Sequence, residues 1–466
     1  MNTERMIQDL VQILDKDRVL SQDLDLMYYS FDASFYTKLK PAAPMAVVFP
    51  RSTEEVQKIM LYAKDHRLNV TPRGAGTAET GGPVALEGGI VMDLSTWDTV
   101  EEIDTADMQV IVRPGVVLGK LNEQLAKFGL FFPPDPGSSK MCTLGGMIAN
   151  NSSGLRAVKY GTTENYILGL EIVTSSGDVI TTGGMKAKCI KNVSGLNLTK
   201  LMIGSEGILG VVTKIRLRVW PKPKSRGICM AVFDHLDDAP ATVLDVYQYG
   251  ILPSGAEILD SSAIKAVNEY NPALNLPDAE AILLFEVDGN PPSVEWEGEH
   301  IKEIAGKRAR TVEWATDPKR MAQLWEGRSV TATAASRVRA DGTRVFAGED
   351  ISVPLSKVTE FLRRVRALAA DCGIQVVNYG HIGDGNVHSA PVINPEIPEE
   401  VEKVMEFVDQ VHLLAIELNG STTGEHGVGA VRRQYAEREH GLTIKYMQKI
   451  KDAFDPDHRM NPGKVF

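Results

Sequence analysis

Apolar and polar positions alternate along this chain with two different periods, and turn-forming residues separate the stretches. Ala46 to Phe49 is a short apolar run that reads as a strand. Ser52-Thr53-Glu54-Glu55 follows as a capping box, with Ser52 as cap and Glu55 three residues on. Val56, Ile59, Met60 and Ala63 then recur at helical spacing. Asn69 to Thr71, Ile90 to Leu94 and Val110 to Val112 read as strands, and Leu118 to Phe128 as a helix between strands. Strand signals return at Gly169 to Thr174 and Ile208 to Val219, and Trp220-Pro221-Lys222-Pro223 marks a domain boundary.

The stretch from Phe132 to Gly161 breaks this pattern. It holds so many turn formers that no regular core is expected there. A long irregular segment inside a compact domain is usually functional. Beyond the boundary, candidate strands are Gly227 to Phe233, Ala281 to Val287, Asp350 to Pro354 and Gln375 to Tyr379. Candidate helices are Pro240 to Tyr249, Ser293 to Ala305 and Leu355 to Ala370, which together predict an α+β cap. Ile444, Met447, Ile450 and Phe454 form a last helical face, stopped at Asp455-Pro456. The division expected is residues 1–223, a cap over 224–420, and a C-terminal segment 421–466 that returns to the first domain.

With 466 residues the chain is too long for one ordinary core. Hydrophobic residues make up 43% and charged residues 24%, a globular composition. The formal net charge of -11 argues against a nucleic-acid partner, since phosphate contacts need a basic surface. The first residues mix charges with apolar positions, so no signal peptide is read, and no apolar run approaches the length of a membrane span. A cytoplasmic location is expected, with peripheral membrane attachment through a partner left open. Cys142, Cys189, Cys229 and Cys372 lie far apart, which speaks against a zinc ribbon, an iron–sulfur cluster or disulfides; all four read as buried or incidental thiols.

Candidate chemistry begins at Arg73-Gly74-Ala75-Gly76-Thr77. The dinucleotide fingerprint fails here, because Glu79 stands where the third glycine belongs and Gly81-Gly82-Pro83 forbids a long helix. What remains is a loop whose N–H groups can converge on phosphate oxygens, with Arg73 to neutralise charge. Pro136-Gly137, Gly145-Gly146, Asn150-Asn151, Tyr160-Gly161 and Gly204-Ser205-Glu206-Gly207 are further places where backbone can approach an extended ligand.

As an ordered set these pieces are specific. Pro72-Arg-Gly-Ala-Gly-Thr77, Pro133-Pro-Asp-Pro-Gly137, Leu144 to Asn151, Lys159-Tyr160-Gly161, Gly204 to Gly210 and the terminal Asn461-Pro-Gly-Lys464 span nearly the whole chain. The sequence resembles the flavoprotein family that includes vanillyl-alcohol oxidase, in its D-lactate dehydrogenase and glycolate oxidase branch. The resemblance implies an α+β fold: a two-subdomain FAD-binding domain plus an α+β cap with an antiparallel sheet. It places FAD against Arg73, Gly74, Ala75, Gly76, Thr77, Pro136, Gly137, Gly145, Gly146, Asn150, Ser153, Gly154, Tyr160, Gly161, Glu206, Gly207, Gly210, Val211 and Asn461. Relatives that link flavin covalently use a histidine in or near the first glycine loop. Thr77, Ala78 and Glu79 offer none, so FAD is expected to be non-covalent.

The most informative segment is Tyr379-Gly380-His381-Ile382-Gly383-Asp384-Gly385-Asn386-Val387-His388. Asp384-Gly385 signals a two-residue hairpin turn. With those residues as the turn, Ile382 faces Val387 and His381 faces His388. Cross-strand partners share a face with Cβ atoms about 5 Å apart, so two imidazoles could bind one divalent metal (Zn, Mn or Fe). The resemblance adds Glu425 as third ligand, His426 as catalytic base and Arg328 as anchor for a substrate carboxylate. Chemistry agrees: two histidines and one carboxylate leave open positions, a histidine suits proton abstraction, and the arginine fork matches a carboxylate.

The function implied is oxidation of a small 2-hydroxy acid, D-lactate or glycolate, to the 2-oxo acid. Ala332, Gly348-Glu349 and Ser389-Ala390 stand where relatives acting on D-2-hydroxyglutarate carry further polar or basic residues, which favours the smaller acid. The chain has no visible electron relay, so a partner is expected: an electron-transferring flavoprotein, an iron–sulfur subunit, a cytochrome or a quinone. A dicarboxylate dehydrogenase, a non-catalytic flavin subunit and an oxygen-using oxidase are the alternatives.

Overall fold

The structure is a computed structural model that describes residues 3–466. It divides into two compact units. The first comprises Met1–Ser153, Thr162–Lys222 and Glu425–Phe466, and the second Gly154–Gly161 and Pro223–Gly424.

The first unit holds two sheets. A four-stranded sheet has the order Val19–Leu20, Ala46–Val48, Ile90–Asp93, Val70–Arg73, parallel except for its first pair. Helices Thr3–Leu14 and Thr53–Asp65 cover it with Met6, Leu10, Leu14, Val56, Ile59, Met60 and Ala63, all fully buried. Ser52 caps the second helix by accepting the Glu55 N–H at 3.1 Å. The Glu55 carboxylate returns one residue early, to the Arg51 N–H at 2.7 Å. The second sheet is antiparallel, in the order Val100–Asp104, Gln109–Val112, Val211–Arg218, Ile167–Val173, Val179–Thr181. The C-terminal tail is tied back where Asn461 donates its N–H to the Val70 carbonyl at 2.8 Å.

The second unit is built on an eight-stranded antiparallel sheet. Its main path runs Thr311–Ala315, Ser225–Phe233, Ala281–Gly289, Gly255–Asp260, Gln375–His381, Asn386–Ile393, Thr343–Arg344, and Asp350–Ser352 also pairs with Asn386–Ile393. One face buries Leu259, Ile282, Leu284, Val377, Ala390 and Val392 under helices Ser261–Tyr270 and Pro318–Ala335. The α+β class and the antiparallel cap sheet are as expected.

One expectation needs correction. The segment 132–161 is less irregular than its turn formers suggest. Leu144–Asn150 is a helix, started by the Thr143 side chain accepting the Gly146 N–H and ended by Asn151 in the left-handed conformation. Its buried stripe is Leu144, Met147 and Ile148, three apolar positions at helical spacing among small residues. Of the cysteines, Cys142 and Cys229 are buried but Cys189 is exposed.

Candidate functional site: the histidine hairpin and the turn that follows it

The hairpin forms, but two residues out of the expected register. Tyr379 pairs with His388, and His381 pairs with Asn386. The loop is therefore longer than Asp384-Gly385: Ile382–Asp384 makes one 3-10 turn and Gly385 closes it at φ 80°. The Val353 carbonyl lies 2.0 Å from where a Gly385 Cβ would sit, so the position is closed to side chains on two counts. A slip of two preserves parity, since side chains repeat every second residue. His381 and His388 thus still share a face as diagonal neighbours, with ring centroids 5.3 Å apart and planes at 89°.

The same face carries two residues that complete the group. Strand Gly255–Asp260 pairs with Gln375–His381 through Ile258 with Gly380 and Leu259 with Tyr379. That register sets Glu257 beside His381. The Glu257 side chain has no exposure, its Oε1 lies 2.6 Å from His381 Nδ1, and its Oε2 accepts from Arg328 Nε at 2.6 Å. Arg328, on helix Pro318–Ala335, also lies 5.0 Å over the Tyr379 ring. A second arginine, Arg344, lies 5.7 Å from that ring and pairs with Glu349 at 3.3 Å. Sequence reading had picked out Arg328 but missed Glu257. An acid inside Gly-Ala-Glu-Ile-Leu-Asp gives no alternation to mark a strand.

Behind His388 stands Asp350, its direct partner across the ladder. Asp350 is fully buried and accepts three hydrogen bonds from two sides: Asn386 Nδ2 at 2.7 Å on Oδ1, and Thr423 Oγ1 at 2.9 Å and the Gly424 N–H at 3.0 Å on Oδ2. The Thr423-Gly424 turn is thereby fixed to the hairpin's neighbouring strand. Glu425 is the next residue in the chain, one peptide unit and about 3.8 Å of Cα travel further on.

In the first unit, His426 Nδ1 lies 3.4 Å from a Glu79 carboxylate oxygen, and its Nε2 lies 3.8 Å from Glu425 Oε1. Its carbonyl accepts from Asn150 Nδ2 at 3.1 Å, and Ser153 Oγ reaches Glu425 Oε2 at 3.5 Å. The turn after it is held by Glu206, whose two oxygens accept the N–H groups of Val428 and Gly429 at 2.7 Å each. Burial raises the pKa of Glu206 above the usual carboxylate range. Asn461 Nδ2 in turn donates to the Glu206 carbonyl at 2.7 Å and to that of Gly82 at 3.0 Å. Glu206 and Asn461, both expected beside the cofactor, tie the His426 turn to the glycine loop.

Arg73 turns inward. Its guanidinium donates to the Phe31 and Pro83 carbonyls at 3.3 Å and lies 5.1 Å over the Tyr29 ring. Burial lowers its pKa. It braces the loop from behind, so close that a Cβ on Gly76 would sit 2.4 Å from Nη2. The loop itself is left with donors to spare. The N–H groups of Gly74, Ala75, Gly76, Thr77 and Ala78 have no acceptor among the described residues. Thr80 Oγ1 and Asn461 Oδ1 are buried without a hydrogen-bond partner there. Five successive amides with two orphaned oxygens nearby fit the pyrophosphate and ribose of a dinucleotide.

The remaining expected cofactor residues divide. Gly137 is open, with nothing near its would-be Cβ. Gly145 is packed on Pro114 and Gly210 on Ile172, beside Val211 in its strand; Gly207 abuts Pro72, and Gly146 donates to Thr143. Pro136 accepts the Ser139 N–H. Gly154, Tyr160 and Gly161 belong to the second unit, where the Tyr160 hydroxyl donates to Asp288 at 2.8 Å.

The α+β architecture and the donor-rich loop define a flavin-type dinucleotide protein, and comparison with known proteins agrees. Residues 44–183 match the model of the FAD binding domain, and residues 222–465 that of FAD linked oxidases, C-terminal domain. The chain belongs to the FAD-linked oxidases of the vanillyl-alcohol-oxidase type, in the branch of glycolate oxidase subunits and D-lactate dehydrogenases. It is 36% identical to glycolate oxidase subunit GlcD of Bacillus subtilis, over 100% of this chain and 97% of that one. It is 32% identical to a D-lactate dehydrogenase of Anaerostipes hadrus, over 99% and 97%. In fold it is similar to 4-ethylphenol oxidase from Gulosibacter chungangensis (TM-score 0.82, 16% identity, 99% and 96% covered). It is also similar to p-cresol methylhydroxylase (TM-score 0.80, 17% identity, 99% and 96% covered). No helix among the described residues is long and apolar enough to cross a membrane.

Proposed function

We propose that this protein is an FAD-dependent dehydrogenase that oxidises D-lactate or glycolate to the 2-oxo acid, at a divalent metal held by His381, His388 and Glu425. The observation that carries the reading is the hairpin pair: two imidazoles on one face, 5.3 Å between centroids, with a buried carboxylate on one and another behind the other. Imidazole ligands backed by carboxylates are the usual construction of a zinc or manganese site. The relatives named for glycolate and D-lactate support the substrate class.

FAD, when bound, supplies the hydride acceptor, and the metal supplies Lewis acidity at the substrate hydroxyl. The chain does the rest. Gly74 to Ala78 offer their amides to the pyrophosphate. Arg328, its Nε fixed by Glu257, presents the ends of its guanidinium to the substrate carboxylate and sets the approach of C2. His426 takes the hydroxyl proton at Nε2, with Glu79 facing the other ring nitrogen. His426 would carry the proton away as C2 gives up its hydride and the carbonyl forms.

Arg344 is already matched by Glu349, which supports a monocarboxylate over D-2-hydroxyglutarate. Electrons pass to a partner, an electron-transferring flavoprotein or an iron–sulfur subunit. The reading places the protein in the cytoplasm, with membrane contact through that acceptor. The test is dye-coupled oxidation of D- and L-lactate, glycolate, malate and D-2-hydroxyglutarate by the FAD-loaded protein, with and without chelator. The expected result is chelator-sensitive turnover of D-lactate or glycolate; turnover of the dicarboxylates alone, or of none, refutes it.

A further inference from the structure

We infer that Glu257 is a positioning residue that couples the metal ligand His381 to the substrate-binding Arg328, so that one buried carboxylate sets the geometry of both. This rests on the reading of His381 and Arg328 given above.

Glu257 has one oxygen on each partner, both at 2.6 Å, and none of its side chain reaches solvent. A buried charge costs several kcal/mol of desolvation and is a poor way to stabilise a fold that an apolar side chain could fill. Its partners explain its presence better. A hydrogen bond from His381 Nδ1–H to Oε1 fixes the imidazole tautomer, placing the lone pair on Nε2, where a metal can use it. The bond from Arg328 Nε to Oε2 uses the one N–H on the stem side of the guanidinium. The terminal nitrogens keep the planar fork that takes a carboxylate bidentately. Tyr379 completes the clamp, its ring 5.0 Å from the Arg328 guanidinium and its Cα paired with His388. Since both bonds leave a single carboxylate, one rotamer of Glu257 sets the spacing between metal and substrate carboxylate.

The experiment uses FAD-loaded protein stripped with chelator and titrated with Mn2+, read by the loss of free-Mn2+ EPR signal, followed by KM and kcat for D-lactate and glycolate. Glu257→Gln keeps the size but reverses one hydrogen-bond polarity. It is expected to weaken Mn2+ binding about 10- to 100-fold and to raise KM, with FAD content and melting temperature as the check of folding. Arg328→Met is expected to raise KM while leaving Mn2+ affinity within twofold. Mn2+ affinity and KM both unchanged in Glu257→Gln, or only one of them moved, overturns the coupling. Should the Gln variant not fold, Glu257→Asp keeps the charge and pulls it back by one methylene. Both quantities should then shift together, and a shift in only one or neither overturns the coupling. Wild-type protein that binds no Mn2+ and oxidises no 2-hydroxy acid refutes the underlying reading instead, and the two failures are thereby distinct.

Discussion

Replacing Asp350 by asparagine should loosen the Thr423-Gly424 turn from the strand beside the histidine hairpin at little change in shape. Asp350 is fully buried, accepts Asn386 Nδ2 on one oxygen, and accepts Thr423 Oγ1 and the Gly424 N–H on the other. Asparagine must turn its NH2 toward one of these sides. Toward Asn386, two amide donors face each other. Toward the turn, the Thr423 hydroxyl can reverse, but the Gly424 N–H cannot. Either way a bond to a charged acceptor is lost, about 1.5–3 kcal/mol, and a buried donor is left unsatisfied, about 1–3 kcal/mol. The two overlap, so the expected loss is about 3 kcal/mol. It should appear as a lower urea midpoint at unchanged slope. Mn2+ affinity should fall at least about 10-fold, the usual effect of losing a supporting group. A midpoint within about 0.5 kcal/mol of wild type, the range of ordinary surface substitutions, with Mn2+ affinity unchanged, would refute the idea that Asp350 links Gly424 to the hairpin.

Three further outcomes follow from other parts of the chain. Glu206→Gln puts an NH2 against one of the Val428 and Gly429 N–H groups. It should cost about 1–3 kcal/mol in thermal unfolding and lower kcat by loosening the His426 turn; normal kcat in a destabilised variant would show that the turn's position does not matter. Gly385→Ala forces a positive φ on alanine and places its Cβ 2.0 Å from the Val353 carbonyl. The backbone term alone costs about 1–2 kcal/mol, and two-dimensional NMR of the hairpin histidines should report their displacement. Lys464 is buried with its Nζ on the Val84 carbonyl, and burial pushes its pKa down to about 8 from 10.5. Between those values the unfolded chain holds more protons than the folded one, so this lysine makes stability rise with pH across that window, by about 3 kcal/mol. Lys464→Met should flatten that rise in urea unfolding at pH 7.5 to 10.5, and an identical pH slope would contradict the assignment.

The sequence made the second unit's hairpin legible because Asp-Gly is a strong turn signal and two histidines flank it at matched parity. It could not supply the loop length. Asp384 joins a 3-10 turn, and the pairing of His381 with Asn386 leaves four residues, not two, to close the hairpin, with Gly385 packed against Val353. The strand Gly255–Asp260 was unreadable for a different reason. It is buried on both faces, so its acids Glu257 and Asp260 break the apolar run instead of alternating with it. The helix Leu144–Asn150 hides among glycines and asparagines, and its Thr143 cap and three buried apolar residues carry it. Motif residues were found more readily than their work. Glu206, Asn461 and Arg73 stand out in the sequence, yet their side chains hold turns and loops together, and the open donors belong to the backbone of Gly74 to Ala78. Glu79 entered only as the residue that spoils a glycine fingerprint, and the fold puts it on His426.

The most direct test of the central claim is anaerobic bleaching of the bound flavin. FAD-loaded protein carrying Mn2+ or Zn2+ is mixed with D-lactate or glycolate, and absorbance near 450 nm (roughly the oxidised-flavin maximum) is followed, beside metal-stripped protein and His388→Ala. The account predicts rapid bleaching of the metal-loaded wild type, little in the stripped protein until metal is restored, and little in His388→Ala with or without metal. Equal bleaching in all three would contradict the metal role, and flavin that neither acid reduces in the loaded wild type would contradict the function.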